Sequence, residues 1–406
     1  MSRRGFKEDK NWLKLAQVKI FNDPVYGFIT VPAGILLELI EHPYFQRLQR
    51  IKQLGLSHYV YPGAVHSRFH HALGAYHLMT MALNHLRLKG VQIEEDEYRA
   101  AQIAILLHDI GHGPFSHVLE HTILPVKHEQ ITALLMEELN KSTGGQLSLA
   151  IQIFNNQYER PFFHQLISSQ LDTDRLDYLT RDSFFTGVAE GVIGYDRLIL
   201  MMDVVDHQLI LEEKSLYSIE KFLTSRKIMY LQVYMHKTAL AAEFMLNLFL
   251  QSLKSQANFE GLSRSLSYFL KRSHENDWNP AEFLPHYVMI DDVDIWSLLK
   301  ENRNSKDPVL SHLASGLTDR RLFKIQIKDH PFELMSDDKE PSSNIPEELF
   351  QMCSNQIYNF EISPYQLGEP EIMVKSKSKE LKAFSQYKDM QHLTQKLDRY
   401  YRILPR

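Results

Sequence analysis

Histidine is crowded into one part of this chain, and its chemistry is the first property that the sequence suggests. Of the 20 histidines in 406 residues, 11 lie between His58 and His128. Imidazole is the commonest metal-binding side chain and titrates near neutral pH, so this crowding favours a metal site or proton-transfer chemistry. Spacing and local context decide which histidines serve as ligands.

The segment Leu106–His117, LLHDIGHGPFSH, carries the strongest signal. An apolar run, Ile103–Leu107, ends in adjacent His108 and Asp109, and two glycines and a proline follow. Neighbouring residues on a helix point about 100° apart, so both can reach one ion only near the helix end. The pattern predicts a buried helix that ends in two metal ligands beside a cavity.

Two ligands leave a divalent ion underbound, and the chain offers two further sources. Upstream, Arg68–Gly74 opens a predicted helix with adjacent His70 and His71. Downstream, three carboxylates crowd into the start of another predicted helix: Asp172, Asp174 and Asp177. The residue pattern leaves open the choice between the two histidines and between Asp172 and Asp174.

The order His, His-Asp, Asp resembles that of the HD-domain metal-dependent phosphohydrolases, and most closely their deoxynucleoside triphosphate triphosphohydrolase branch. The motifs that carry this resemblance are Tyr61–Ala64, Arg68–Gly74, His108–His117, Asp174–Tyr178 and Tyr234–Lys237, with a fainter likeness at Arg320–Lys324. The resemblance implies a mostly α fold, in which an HD-domain helical core carries small β-hairpins. It also implies four metal ligands: His71, His108, Asp109 and Asp174. Mixed nitrogen and oxygen ligands favour Mn²⁺ or Fe²⁺ as the divalent ion, with Zn²⁺, Ni²⁺, Co²⁺ or Mg²⁺ as alternatives.

The resemblance further assigns catalytic and substrate roles for dNTP hydrolysis, in which water attacks the α-phosphate and intact triphosphate leaves. The catalytic positions are His112, His117, His128 and Glu129. The phosphate contacts are Arg68, Arg175 and Arg226. The sugar pocket, in which packing beside C2′ excludes a hydroxyl, comprises Gln53, Leu54, Tyr178, Asp182 and Tyr234. His70 occupies a position where this branch often has Glu.

These motifs need elements that position them, and the pattern is mainly helical from about 69 to 255. Val18–Val31 is predicted as a hairpin, Pro43–Leu54 as a helix, and Ser218–Leu253 as one long helical stretch that is apolar at three- and four-residue spacings. The predicted division is an N-terminal hairpin and helix (1–45), an HD phosphohydrolase core (46–255), and a C-terminal helical extension with a small mixed α/β appendage (256–406).

Composition narrows the class of protein. The formal charge is −5 and charged residues make up 23%, which is typical of a globular protein and gives little support to a nucleic-acid platform. A single cysteine, Cys353, excludes an internal disulfide and predicts a reducing cytoplasm. No apolar run approaches the roughly 20 residues of a membrane span. The long apolar stretch and the resemblance predict a homo-oligomer, a dimer or tetramer. Some members of the resembled family are activated by a nucleotide at subunit contacts, but Gln49 stands where the mammalian branch has a guanine-reading Arg, which argues against that version of activation.

Three alternatives compete with a dNTP triphosphohydrolase. A cyclic-dinucleotide phosphodiesterase of the related HD-GYP group would need a Gly-Tyr-Pro signature, whereas this chain has Gly194-Tyr195-Asp196. Activity as a nucleoside monophosphatase would account less well for the presence of Arg175, Arg226 and Tyr234. A non-catalytic nucleotide sensor would not need an intact set of metal ligands and catalytic histidines.

Overall fold

The computed structural model describes residues 18–115, 118, 122, 124–255, 262–272, 278–333, 345–353, 356–363, 365 and 370–405. The fold is mostly α with small sheets, which confirms the predicted fold class. The α-helices are α1 (Ile35–Glu41), α2 (Pro43–Gln46), α3 (Arg68–Leu88), α4 (Glu95–Leu107), α5 (His128–Ser142), α6 (Ser148–Phe154), α7 (Phe162–Gln165), α8 (Thr173–Thr186), α9 (Tyr195–Leu200), α10 (Leu216–Met229), α11 (Lys237–Lys254), α12 (Arg264–Leu270), α13 (Pro280–Tyr287), α14 (Asp292–Glu301), α15 (Pro308–Thr318) and α16 (Glu347–Cys353). None of the helices within these ranges is long and apolar enough to cross a membrane.

The strands form three small sheets. They are β1 (Val18–Asp23), β2 (Gly27–Pro32), β3 (Met202–Val205), β4 (Gln208–Glu212), β5 (Lys324–Lys328), β6 (Ile357–Ile362), β7 (Met373–Lys375), β8 (Leu381–Ala383) and β9 (Leu397–Leu404). β1 and β2 form the predicted N-terminal hairpin, with Asp23 opposite Gly27 at its turn. The other two sheets have the orders β3-β4-β7-β8 and β5-β9-β6.

Three helices of the core position the candidate site. α3 packs against both α4 and α8. α4 is buried along its last two turns, from Ala100 to Leu107, so its C-terminal end points into the protein interior. The first turns of α3 and α8 and the last turn of α4 therefore meet at one place.

Two predicted helices have different boundaries in the structure. Pro43–Leu54 is a single α-helical turn followed by a 3₁₀ turn, Arg47–Arg50, after which the chain is extended at Ile51. The Ser218–Leu253 stretch divides into α10 and α11. A π-helical turn, Tyr230–Tyr234, lies between them, and His236 Nδ1 accepts from Thr238 N to cap α11.

The apolar face of this divided stretch is covered within the chain itself. Met229, Val233, Met245 and Leu248 are all buried in the main core. The apolar spacing therefore reflects core packing, and the prediction of an oligomer depends on the family resemblance alone.

Residues beyond 256 join the core through several contacts. β4 of the core pairs in parallel with β7, so one sheet contains strands from both parts. Near the candidate site, the buried Arg47 donates to Ile290 O, and Tyr287 Oη donates to Gly111 O. Residues 287–292 thus brace the loop that follows α4.

Candidate metal centre and active site

The first turn of α3 presents His71 to the site, while its neighbour His70 stabilises the helix start. His70 Nδ1 lies 2.9 Å from Ser67 Oγ and accepts from Ser67 N at 3.3 Å. In such a capping box, the residue that accepts from the N-cap backbone N–H is usually Glu or Gln at the third helical position. His70 therefore takes the structural role at a position where the triphosphohydrolase branch often has Glu, and the buried His71 is free to point inward.

A similar division separates Asp172 from Asp174 at the start of α8. Asp172 is the N-cap and accepts from Arg175 N and from Ser169 N, both at 2.7 Å. Burial raises the pKa of Asp172 to about 6. Asp174, two residues further into the helix, reaches the histidines instead.

The donor atoms of the four predicted ligands converge. Asp174 Oδ1 lies 3.0 Å from His71 Nε2 and 3.4 Å from His108 Nε2, and the two Nε2 atoms are 3.3 Å apart. Asp109 Oδ1 is 3.5 Å from His108 Nε2, and Asp109 Oδ2 is 3.7 Å from His71 Nε2. Neighbouring donors around an octahedral ion with bonds of about 2.1 Å lie about 3 Å apart. His71, His108 and Asp174 therefore form one group that could hold a divalent metal ion, and Asp109 adjoins it while also grouping with His112 and His128.

Histidines and carboxylates of the cluster stabilise each other's charge. Burial opposes charge on His71, yet hydrogen bonds to Asp174 and Asp177 raise its pKa to about 10. Burial also opposes charge on Asp174, but His108 and His71 hold the pKa of this carboxyl below its usual range. Buried carboxylates need positive charge close by, and a divalent ion provides it.

A second group of side chains lies beside the cluster, on the side of Asp109. His112 Nε2 is 3.2 Å from Asp109 Oδ1, and the His112 and His128 rings stack at 3.8 Å. Burial, followed by the charge of Arg68, holds the pKa of His112 well below its ordinary value. A neutral imidazole in this position can accept a proton.

The other two predicted catalytic residues differ in their surroundings. Glu129 lies 3.5 Å from His128 Nε2, and its side chain is mostly exposed. The predicted catalytic His117 lies outside the described residues.

Asp182 is the centre of the predicted sugar pocket. Tyr234 Oη donates to Asp182 Oδ2 at 2.8 Å, and His66 Nε2 lies 2.8 Å from Asp182 Oδ1. Tyr178 meets Tyr234 edge-on at 6.2 Å between ring centroids. Tyr234 closes the π-helical turn, an irregularity that is frequent at functional sites.

The remaining pocket residues come from the segment before α3. Gln53 N donates to His66 O, while the buried Gln53 Oε1 has no partner among the described atoms. Leu54 follows directly and is partly buried against the core.

The three predicted phosphate-binding arginines occupy different places around the cluster. Arg68 Nη1 donates to Asp109 Oδ2 at 2.6 Å, so it lies directly at the metal ligands. Arg175 Nε donates to Ser169 O and to Asp172, which fixes it at the start of α8. Arg226 is buried beside the Tyr230 ring at 5.8 Å, and its Nε has no partner in the part of the chain that the structure describes.

Two residues that contact predicted site residues were given no role by the sequence analysis. Asp177 accepts from His71 Nδ1 at 2.7 Å, and His66 holds Asp182. The spacing of Asp174, Asp177 and Arg181 on one helix face is a signal that could have identified Asp177. For His66, nothing in the sequence beyond its place two residues before Arg68 indicated a partner on α8.

Comparison with known proteins places the chain in a family. Residues 68–182 match the HD domain, and residues 193–267 match the HD associated region. The structure of a phosphohydrolase from Bacteroides thetaiotaomicron is 43% identical, with a TM-score of 0.86 over 96% of this chain and 100% of that one. The uncharacterized protein YwfO of Bacillus subtilis is 32% identical over 333 residues, which are 80% of this chain and 75% of that protein.

Similarity to a named triphosphohydrolase points to one branch of the family. The deoxynucleoside triphosphate triphosphohydrolase SAMHD1 of Homo sapiens is 31% identical over 265 residues, which are 54% of this chain and 42% of that protein. The chain belongs to the HD-domain phosphohydrolases, in the branch that resembles these triphosphohydrolases.

Proposed function

We propose that this protein hydrolyses deoxynucleoside triphosphates to deoxynucleoside and triphosphate in a metal-dependent reaction. The observation that carries the proposal is the convergence of His71, His108, Asp109 and Asp174, together with the hydrogen-bonded pair Asp182 and Tyr234, whose Asp182 lies about two turns beyond Asp174 on α8. The first group provides a site for phosphate chemistry, and the second provides a polar contact for a sugar hydroxyl. The similarity to SAMHD1 supports the dNTP as substrate.

The four ligands would hold a divalent ion, which when bound polarises a phosphate oxygen and lowers the pKa of a coordinated water. Arg68, beside Asp109, supplies positive charge for a phosphate oxygen, and Arg175 and Arg226 extend that charge along the triphosphate. His112 would accept the proton of the attacking water through its neutral imidazole, and His128, whose ring stacks on that of His112, would be a second proton acceptor beside it. His117 and Glu129 remain predicted participants.

The sugar pocket gives the proposal its specificity. Asp182 and Gln53 bind the 3′-hydroxyl, while Leu54, Tyr178 and Tyr234 occupy the 2′ side. Asp182 is held from both sides by His66 and Tyr234, so its position is set before the substrate arrives. Preorganised polar groups of this kind reject analogues that lack the matching hydroxyl.

The most direct test measures tripolyphosphate release from each dNTP after rigorous chelation and after addition of Mn²⁺. We expect release only with metal, and far slower release from ribonucleotides. Inorganic phosphate from nucleoside monophosphates would indicate a monophosphatase, and cleavage of cyclic dinucleotides a phosphodiesterase. Tight nucleotide binding without turnover would indicate a sensor.

A basic cavity supports the further expectation of a nucleotide activator. It has a volume of about 1240 Å³, and its cationic lining residues are Lys237, Lys306, Arg320, Arg321 and Lys324. A polyphosphate is the class of ligand that this concentration of charge favours. Activation by a second nucleotide, with assembly into a homo-oligomer in the cytoplasm, belongs to the same proposal.

A further inference from the structure

A continuous series of buried contacts connects the candidate metal centre to the N-terminal hairpin. His71 Nδ1 lies 2.7 Å from Asp177 Oδ2, and Arg181 donates to both oxygens of Asp177 at 3.0 Å. The same guanidinium donates through Nη1 to Asp23 Oδ2 at 2.7 Å. Asp23 lies at the turn between β1 and β2, where its Oδ1 accepts from Val25 N and Tyr26 N.

Each residue in this series is buried. Arg181 and Asp177 are fully buried, and Asp23 is 7% exposed. The face of the Tyr26 ring, also from the hairpin turn, covers the Arg181 guanidinium at 5.4 Å. Bulk water therefore has little access to these groups in the intact network.

Gly74 shows how closely this network is built into α3. A Cβ at Gly74 would lie 1.9 Å from Asp177 Oδ1 and 2.2 Å from Arg181 Nη2. The carboxylate and the guanidinium thus occupy the space that a side chain on α3 would take. This arrangement ties the network to the same helix that carries His71.

The contact at Nδ1 determines which nitrogen of His71 is available to a metal. When a metal ion replaces the proton on Nε2, an acceptor at Nδ1 keeps the other proton in place and leaves the Nε2 lone pair to the ion. Arg181 fixes the orientation of Asp177 through two hydrogen bonds, and the planar fork has a third donor left for Asp23. A Lys ammonium carries its three donors on a single nitrogen, so it could not reproduce the paired contact with both oxygens of Asp177 in the same geometry.

We propose that the β1–β2 hairpin is part of the metal centre, because Asp23 and Arg181 act as positioning residues for Asp177 and, through it, for His71. The inference rests on the metal centre of the proposed function but not on the identity of the substrate. Its consequence is that the hairpin turn contributes to metal affinity.

The test uses two isosteric variants and measures the affinity of the purified full chain for Mn²⁺ by competition with a chelating indicator. Asp177→Asn can offer an amide N–H to His71 Nδ1, and we expect a loss of affinity of about 10- to 100-fold. Asp23→Asn keeps an oxygen for the turn but directs an amide group at Arg181, and we expect a smaller loss in the same direction.

The matched control is Glu97→Gln. Glu97 is another buried carboxylate bound by an arginine, Arg160, at 2.7 and 2.6 Å, and it lies 11 residues before His108, or about 16 Å along α4. This variant should keep the native metal affinity even where it lowers thermal stability. Native affinity in Asp23→Asn would overturn the role of the hairpin, whereas absence of metal binding in the native protein would overturn the metal centre itself.

A second measurement needs no variant. Because coupling between sites is reciprocal, metal binding should stabilise the hairpin. Hydrogen–deuterium exchange of the native protein should therefore slow in Val18–Pro32 when Mn²⁺ is added. The β3–β4 hairpin, which has no such contact with the described ligands, should change less, and equal responses of the two hairpins would contradict the proposal.

Discussion

Buried and partly buried acidic groups occur in two contrasting settings in this protein, along α8 from its N-cap and on α11. Asp172, Asp174, Asp177 and Asp182 lie along α8, and each is bound by a histidine, an arginine, a tyrosine or a backbone amide. Glu243 on α11 faces an apolar cavity of about 180 Å³, and no described residue makes an ion pair or hydrogen bond with it. Burial alone raises the pKa of Glu243 to about 7.

The difference between the two helices is whether the carboxylates have binding partners. On α8, each carboxylate has partners that keep it in one place, as ligands and their supporting residues require. On α11, the carboxylate of Glu243 has no such partners, so desolvation destabilises its charged form without compensation. A carboxylate that is shielded from solvent therefore indicates a functional site only when it is part of a network of hydrogen bonds and ion pairs.

The largest effect is expected at the metal ligands. His108→Ala and Asp109→Ala each remove a donor, so the charge stabilisation of several kcal/mol that an ion gives to the reacting phosphate is lost. Turnover should fall at least about a thousand-fold while far-UV circular dichroism stays native. Substantial turnover in either variant would refute the metal assignment.

A smaller effect is expected at the sugar pocket. Asp182→Ala removes one buried hydrogen bond from a charged group to the 3′-hydroxyl, which should cost about 1.5–3 kcal/mol, or roughly ten- to a hundred-fold in kcat/KM. A 2′,3′-dideoxy substrate lacks this hydroxyl, so its already low rate should barely change. Equal losses on both substrates would show that Asp182 acts on the fold and not on the sugar.

The smallest effect is expected at Glu243. Its folded pKa of about 7 lies above the ordinary value of 4.5, so the charged form is penalised in the folded state. The penalty is absent below about pH 4.5 and complete above about pH 7. Relative to the native protein, Glu243→Gln should therefore gain stability between these values, on the order of 1–2 kcal/mol because the side chain is partly exposed. Urea unfolding at pH 4.5 and pH 8 measures the difference, and an identical difference at both values would mean that Glu243 has a partner.

The sequence predicted the fold class, the N-terminal hairpin and the helices around the site, because their apolar spacing and turn residues are local signals. It could not separate His70 from His71 or Asp172 from Asp174 without the family resemblance. In each pair, one residue caps its own helix and the other crosses to a distant element, and the spacing is the same for both roles. The division of Ser218–Leu253 was also missed, because the π-helical turn keeps the apolar residues on the buried side.

Contacts between segments that are distant in the chain were the hardest feature to predict from the sequence. His66 and Asp182 are 116 residues apart, and Asp23 and Arg181 are 158 apart. Packing of α3 against α8 brings them together, and no local pattern reports it. The apolar stretch that predicted an oligomer is a clear local pattern, but the pattern does not tell what covers it. In the structure, the core of the same chain covers it.

The central claim is that water attacks the α-phosphate of a dNTP and releases intact triphosphate, and hydrolysis in ¹⁸O-labelled water tests it most directly. If water forms the new bond to the α-phosphorus and the bond from that phosphorus to the 5′-oxygen breaks, the label enters the end of the triphosphate. We expect phosphorus NMR to show ¹⁸O on terminal triphosphate phosphorus, with an unlabelled deoxynucleoside. Label in the deoxynucleoside, or pyrophosphate and deoxynucleoside monophosphate as products, would contradict the account.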